Sequence, residues 1–130
     1  MASINDNPLK RLIEAENSHD IEKMLTFLAD DIVIENISFG IVMRGKNSVK
    51  EGYKGFFSAI PDFKIEPKSW VTNDRSFAAE VILTGTQKGD FPALPASGKR
   101  FSITGCTIEE FENGKLKGRR DYRDSSSLVK

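Results

Sequence analysis

The sequence predicts an α+β domain in which a barrel-like curved sheet, mixed or antiparallel, is packed by three N-terminal helices with a pocket between them. Helical apolar spacing dominates up to residue 60, whereas alternating β-type runs fill the chain from residue 63 onwards. Helices that are segregated from a largely antiparallel sheet define this fold class. Amphipathic helices on a curved sheet leave space between the two layers, where a small molecule is expected to bind. No repeat or linker divides the chain, so residues 1–130 are interpreted as one domain.

Three helices are predicted from apolar spacing and from their end signals. The first begins at Asn7-Pro8, where a capping side chain precedes a proline, and it ends in the run NSHD at 17–20. Asp20 caps the second helix, and Pro61 stops the third. The apolar stripes are Leu9, Leu12 and Ile13 in the first helix, Ile21, Met24, Leu25 and Leu28 in the second, and Val49, Tyr53, Phe56, Phe57 and Ile60 in the third.

Five strands are predicted. A β-branched run at 32–37 lies between the second and third helices, and Arg44-Gly45 closes the loop that follows it. The other strands come after the third helix, and a loop rich in glycine and proline at 87–99 separates the first two of them from the last two. Their predicted ranges are 63–72, 76–86, 100–112 and 115–124.

The Asn113-Gly114 turn sets the predicted pairing of the last two strands, because asparagine and glycine accept the positive φ angles of a two-residue turn. A regular ladder places Leu116 opposite Phe111, Arg119 opposite Ile108, and Asp121 opposite Cys106. One face would then carry Thr104 and Cys106 together with Arg119, Asp121 and Arg123. The other face carries apolar residues that a second subunit is expected to cover: Phe101, Ile103, Phe111, Leu116 and Tyr122.

The composition excludes several classes of protein. Nineteen basic residues balance nineteen acidic ones, so no basic stripe is available for nucleic acid. The chain has no signal-peptide pattern and no run of about 20 apolar residues that would span a membrane. One histidine and one cysteine provide no metal-ligand set, and no glycine-rich loop opens a helix. We therefore expect a cytoplasmic protein without a metal, a cofactor, or a membrane or nucleic-acid partner.

Four stretches of the chain, together and in this order, resemble the SnoaL-like polyketide cyclase family of the nuclear transport factor 2-like fold. They are NSHDIEKMLTFLADDIVIEN (17–36), MRGKNSVKEGYKGFFSAIPDFKIE (43–66), LTGTQKGDFPALPASGK (83–99) and FENGKLKGRRDYRD (111–124). The resemblance implies a conical, usually dimeric domain that binds a hydrophobic small molecule in its pocket. It also implies an intramolecular aldol ring closure that uses neither metal nor cofactor.

The resemblance implies roles for two residues. Asp121 matches the aspartate on the last strand that acts as general acid/base in family cyclases, and Asn36 matches a polar residue that positions the substrate. Family cyclases place a histidine or glutamine opposite the aspartate. In this chain the predicted register puts Cys106 and Thr104 there instead.

Each polar candidate has a structural alternative. Asp121 is either a proton shuttle or a carboxylate that is neutralised by Arg119 and Arg123. Arg119 is then either the cation that weakens this base or an electrophilic partner for a developing enolate. Asn36 either donates an amide hydrogen to a substrate carbonyl or bonds its own backbone.

Other residues are assigned more simply. His19 is expected to cap a helix end rather than act as a base, and Glu80 is expected to pair with an arginine. Cys106 is read as a small buried hydrophobe rather than a nucleophile. The residues expected to contact the ligand are Asn36, Tyr53, Phe57, Trp70, Thr104, Cys106 and Arg119.

Two functions follow from these assignments. The first is cofactor-independent cyclase or isomerase chemistry, an aldol-type closure or an enolisation, on a hydrophobic carbonyl compound of the polyketide type. The second is a binding protein of the same fold without catalysis, in which Asp121 belongs to a structural ion pair. A homodimer is expected under both.

Overall fold

A computed structural model describes residues 8–90 and 97–124. The helices are α1 (Pro8–Ser18), α2 (Ile21–Leu25) and α3 (Gly45–Ala59). The strands are β1 (Leu28–Asn36), β2 (Ile41–Arg44), β3 (Lys64–Thr72), β4 (Ser76–Thr86), β5 (Arg100–Glu112) and β6 (Lys115–Arg123). The strands form one open sheet in the order β2-β1-β6-β5-β4-β3. The predicted α+β class is confirmed, and the three helices on a curved sheet are consistent with a cone.

The sheet is mixed, because β1 and β6 run parallel while every other neighbouring pair is antiparallel. Register shifts occur in three ladders: between β1 and β6, between β3 and β4, and between β5 and β6. An extra residue in one strand bends that strand and increases its twist. These irregularities help to curve the sheet around the helices.

The helix-end signals have direct structural counterparts. The side chain of Asp20 accepts a hydrogen bond from the backbone N–H of Lys23 at 3.1 Å, so the predicted cap of α2 is confirmed. His19 ends α1 with a φ of 60° and donates its backbone N–H to the carbonyl of Glu16 at 3.1 Å. Its Nε2 lies 2.9 Å from the carbonyl oxygen of Phe63, and its ring stacks on Phe57. His19 therefore has the structural role that was predicted. The predicted cap Asn7 lies outside the described residues.

Two predictions about the early elements were wrong. Helix α2 ends at Leu25, and Leu28 is instead the first residue of β1, where it is buried. The segment before Arg44, predicted as a loop, forms β2, which pairs with the end of β1. A strand of four residues at the sheet edge carries too few alternating positions to stand out in the sequence.

The core lies between the helices and one face of the sheet. Helix α3 packs on β1 and β2, and α1 packs on β3. Val49, Tyr53 and Phe57 bury the face of α3 that the spacing predicted. The sheet contributes the most deeply buried apolar side chains, which are Ile32, Ile34, Phe77, Val81 and Leu116.

The last hairpin has the predicted turn but not the predicted register. Asn113 and Gly114 have φ angles of 53° and 76°, as a two-residue turn requires. Phe111 pairs with Leu116 as expected, but Glu110 then pairs with Gly118, so that Lys117 is an extra residue in β6. Beyond this bulge every predicted partner is displaced by one, and a displacement by one exchanges the two faces.

The shifted register overturns the predicted contents of both faces. Asp121 pairs with Thr107 rather than Cys106, and Arg119 pairs with Glu109 rather than Ile108. The apolar set predicted to meet a second subunit is mostly internal. Leu116 is fully buried, and Phe101 and Ile103 line the internal cavity described below, which leaves Tyr122 as its exposed member.

Candidate active site

A cavity of about 340 Å³ lies between the helices and the sheet. Its volume is within the range of small-molecule sites. Most of its wall is apolar, and the side chains include Ile34, Met43, Phe56, Phe63, Val81, Leu83, Phe101 and Ile103. Polar residues share this wall: Glu16, Asn36, Glu51, Tyr53, Gln87, Asp90, Thr107, Glu109, Arg119, Asp121 and Arg123. The cavity therefore suits an apolar ligand that carries a few polar atoms.

Asp121 is held by three neighbours, and its two oxygens are used unequally. Oδ1 accepts a hydrogen bond from Thr107 Oγ1 at 2.7 Å and lies 3.2 Å from Arg123 Nη2. Oδ2 lies 3.3 Å from Arg119 Nε, a charge contact whose N–H direction does not form a hydrogen bond. Among the described residues, none donates a hydrogen bond to Oδ2, and this oxygen can accept a proton from a ligand.

Arg119 joins the polar group together. Its Nη1 donates to Glu16 Oε1 at 2.9 Å, and its Nη2 donates to the hydroxyl of Tyr53. Burial alone would lower the pKa of the guanidinium, but the negative charge of Asp121 and the nearby Tyr53 and Glu16 raise it well above its usual value. Because both terminal nitrogens donate to protein groups, Arg119 orients the side chains of Glu16 and Tyr53.

Burial also shifts the groups that Arg119 binds. It raises the pKa of Glu16 in spite of the ion pair with Arg119. It raises the pKa of Tyr53 as well, so the phenol stays neutral. Tyr53 is thus an uncharged hydroxyl in the cavity wall that lies against a permanent cation.

Arg123 reaches Asp121 because the residue opposite it in β5 is a glycine. A Cβ on Gly105 would lie 2.5 Å from the carbonyl oxygen of Tyr122 and 2.8 Å from Arg123 Cδ. The space that glycine leaves lets the guanidinium lie across the strand, where Nη1 donates to the carbonyls of Cys106 and Tyr122 at 3.3 and 3.2 Å. Nη2 is thereby directed at the carboxylate.

Glu109 is a further acid in the cavity wall. Its side chain is 1% exposed, and its Oε2 is buried without a hydrogen-bond partner among the described residues. Burial raises the pKa of its carboxyl to about 8, because the nearby arginines offset the desolvation only in part. Glu109 is therefore mostly a neutral carboxylic acid at pH 7.

One of the two alternatives for Asn36, a bond to the nearby backbone, is present in the structure, and its role as a donor to a substrate stays a prediction. It ends β1 beside Asp121, with which it is paired in the parallel ladder. Its Oδ1 accepts the backbone N–H of Phe39 at 3.1 Å, which fixes the side-chain amide. The same side chain lines the cavity, with Nδ2 as its donor end.

Only some of the predicted contact residues meet in the cavity wall. Asn36, Tyr53, Arg119 and Asp121 do so. Four others are not in the wall: Phe57, Trp70, Thr104 and Cys106. Phe57 packs against His19 and Phe63, and Trp70 is half-buried on β3. The bulge in β6 turns Thr104 and Cys106 to the opposite face from Asp121.

The pairing predicted for Glu80 was also wrong. Glu80 is exposed and accepts a hydrogen bond from Ser69 Oγ at 2.5 Å, and among the described residues no arginine pairs with it. Its side chain points away from the core, so the charge is solvated and needs no cation.

Glu16, Thr107, Glu109 and Arg123 were not predicted as ligand contacts, although each lines the cavity. A usable signal was present in β5. Phe101, Ile103 and Phe111 alternate with polar residues, and the same alternation assigns Thr107 and Glu109 to their face. The apolar pattern of β5 therefore indicated the inner face more reliably than the turn-based register did.

The family model of SnoaL-like polyketide cyclases matches residues 8–130. The chain belongs to this family. No curated protein sequence matches it. Among the helices described in the structure, none is both long and apolar enough to cross a membrane.

Solved structures of other SnoaL-like and related proteins share the fold. A SnoaL-like polyketide cyclase from Agrobacterium tumefaciens is 23% identical, with a TM-score of 0.80 over 99% of this chain and 97% of that one. A protein with a ketosteroid isomerase-like fold from Catenulispora acidiphila, solved with trimethylamine, is 14% identical, with a TM-score of 0.83 over 95% and 90%. An LEH-like epoxide hydrolase from M. tuberculosis is 17% identical, with a TM-score of 0.75 over 94% and 84%. At these identities the similarity establishes the fold alone.

Proposed function

We propose that the protein is a cofactor-independent cyclase or isomerase that acts on a hydrophobic carbonyl compound, with Asp121 as the acid/base. The observation that carries this proposal is the unequal use of its carboxylate. Oδ1 is fixed by Thr107 and Arg123, whereas Oδ2 has no hydrogen-bond donor among the described residues in an apolar cavity. A fixed carboxylate with one available oxygen is a suitable proton acceptor.

In the proposed reaction Oδ2 removes a proton from the carbon next to the ligand carbonyl. The electrons of the C–H bond form the enolate, and its oxygen becomes negative. The Nδ2 donor of Asn36 and the positive charges of Arg119 and Arg123 lie on the same wall and stabilise this oxygen. In an aldol closure the enolate carbon then bonds to a second carbonyl carbon of the same molecule, and Asp121 returns its proton to the resulting alkoxide.

The proposal is tested by hydrogen exchange on 2-acetylnaphthalene, an apolar ketone with an enolisable methyl group. We expect the protein to accelerate exchange of the methyl hydrogens in deuterated water, followed by NMR. The matched compound 2-isopropylnaphthalene has a similar shape without an enolisable position and should show no exchange. Binding of the ketone without exchange above the buffer rate would contradict the proposal.

A binding protein without catalysis is the second candidate. Its support is the pair of contacts between Asp121 and the two arginines, at 3.3 and 3.2 Å, which form the ion pair that this alternative requires. The exchange experiment separates the two functions, because both predict binding but only the first predicts proton transfer.

We also propose a homodimer, as the family resemblance implies. Four large apolar side chains are exposed in the described chain: Ile37, Val42, Val71 and Tyr122. Burial of such side chains between two copies would be favourable. Sedimentation at micromolar concentration should show a dimer, and a monomer would contradict this.

We also propose a cytoplasmic location for the protein, which cell fractionation would test.

A further inference from the structure

Glu109 is a buried acid that takes no part in the proposed acid/base chemistry of Asp121. It lies in the cavity wall and is 1% exposed, and its Oε2 has no hydrogen-bond partner among the described residues. Buried polar groups in native proteins nearly always have a partner, so an orphaned one needs an explanation. A ligand in the adjoining cavity is the partner that this position offers.

The charged groups that face Glu109 explain why it has no partner within the protein. Arg119 is directly opposite in the ladder, but its Nη1 and Nη2 donate to Glu16 and Tyr53, and its Nε lies 3.3 Å from Asp121 without forming a hydrogen bond. Arg123 is likewise directed at Asp121. With two carboxylates, Glu16 and Asp121, already matched to two guanidinium groups, a third negative charge has no cation of its own.

The position of Glu109 relative to Asp121 also suits a ligand that touches both. Asp121 pairs with Thr107, and Glu109 lies two residues further along β5 on the same face. Diagonal neighbours of this kind have backbones about 7–8 Å apart. A ligand that reaches Asp121 at one atom can therefore meet Glu109 at another.

We propose that the carboxyl group of Glu109 is a ligand-recognition group that donates a hydrogen bond to a neutral acceptor oxygen, such as a carbonyl, of an apolar ligand. In this role it selects uncharged oxygen-bearing compounds and disfavours carboxylates, which would add negative charge to the cavity. The inference concerns binding, so it holds whether or not Asp121 transfers a proton.

The proton on Glu109 makes this recognition dependent on pH. Without a ligand, the pKa of Glu109 in the protein is about 8, so the protonated donor form dominates at pH 6.5 and is scarce at pH 9.5. Apparent affinity scales with the fraction of protein in the binding-competent form. Affinity for a ketone is therefore expected to fall by about tenfold or more as the pH rises from 6.5 to 9.5. By the same linkage, a ketone that binds the protonated form must raise the pKa of Glu109.

The test compares 2-acetylnaphthalene with 2-isopropylnaphthalene, which lacks the carbonyl, by calorimetric titration. Wild-type protein should prefer the ketone at pH 6.5 and lose this preference at pH 9.5. Glu109→Gln keeps a neutral donor at both pH values, so its ketone affinity should not change with pH. Glu109→Met removes the donor and should lower the ketone-to-hydrocarbon affinity ratio by about three- to tenfold at pH 6.5.

A pH-independent ketone affinity in wild type, or an unchanged ratio in Glu109→Met, would overturn the inference, as would no ketone binding at pH 6.5. Carbon NMR of the Glu109 carboxyl in wild-type protein gives a second readout that does not need a variant to fold. The ketone should raise its pKa and the hydrocarbon should not. A pKa that the ketone leaves unmoved or lowers would contradict the inference.

Discussion

Replacement of Asp121 by asparagine is expected to slow methyl-hydrogen exchange on 2-acetylnaphthalene by about 10²- to 10⁴-fold, the usual contribution of a positioned acid/base group. Asparagine has nearly the same shape and can still accept the hydrogen bond from Thr107, so the cavity should keep its form. It cannot remove a proton from carbon. Rates from NMR exchange and affinities from calorimetry, measured on the same preparation, separate chemistry from binding.

The matched control for this experiment is Glu110→Gln. Glu110 is also an acid in the sheet, but it is on the outer face, where it is exposed and pairs with Arg120. Its replacement should leave the exchange rate within about twofold, because isolated surface changes have small effects. An Asp121→Asn protein that binds the ketone and exchanges it at the wild-type rate would contradict the role of Asp121 in the reaction.

The fold could be predicted from the sequence because its main signals are local. The apolar stripe of α3 faces the protein core through Val49, Tyr53 and Phe57, and the Asn113-Gly114 turn forms as expected. Signals of this kind depend on neighbours within a few residues. The short strand β2 has too few residues for such a signal, and it forms because β1 offers it an edge to pair with.

The site was harder to predict because it depends on register. Asp121 and Arg119 were placed together correctly, since both lie on one strand and alternation within a strand is reliable. Their partners on β5 were wrong, because one extra residue at Lys117 exchanges the faces of the ladder. The bulge occurs next to Gly118, where a residue without a side chain weakens the strand. The error placed Gly118 instead of Arg119 opposite Glu109 and so separated Glu109 from the predicted polar group.

The contacts of Arg119 could not be inferred from spacing at all. Glu16 and Tyr53 come from two different helices and reach the guanidinium only after the helices have packed on the sheet. The alternatives for Arg119, a cation that neutralises Asp121 or an electrophile, therefore stayed open. In the structure it is shared among three partners, and its contact with Asp121 is the least well aligned of them.

Replacement of Arg119 by methionine is expected to lower the free energy of unfolding by about 3–5 kcal/mol, because it leaves buried acids without their cation. Methionine fills a similar volume, so the loss reports charge and hydrogen bonding rather than a cavity. Chemical denaturation at pH 7 measures it. The adjacent Arg120→Met is the control. Its side chain is 40% exposed, and its 3.4 Å pair with Glu110 should contribute less than about 1 kcal/mol.

The combination of Arg119→Met with Glu16→Gln isolates the cause of that loss. If the unpaired charge of Glu16 is responsible, the double variant should be about 1–3 kcal/mol more stable than the sum of the single changes predicts. The deficit of Arg119→Met should also shrink as the pH falls from 7 to 5, because without its cation Glu16 takes up a proton more readily. If the two changes in unfolding free energy were strictly additive, the ion pair between Arg119 and Glu16 would not explain the loss of stability. Packing would then hold α1 against β6.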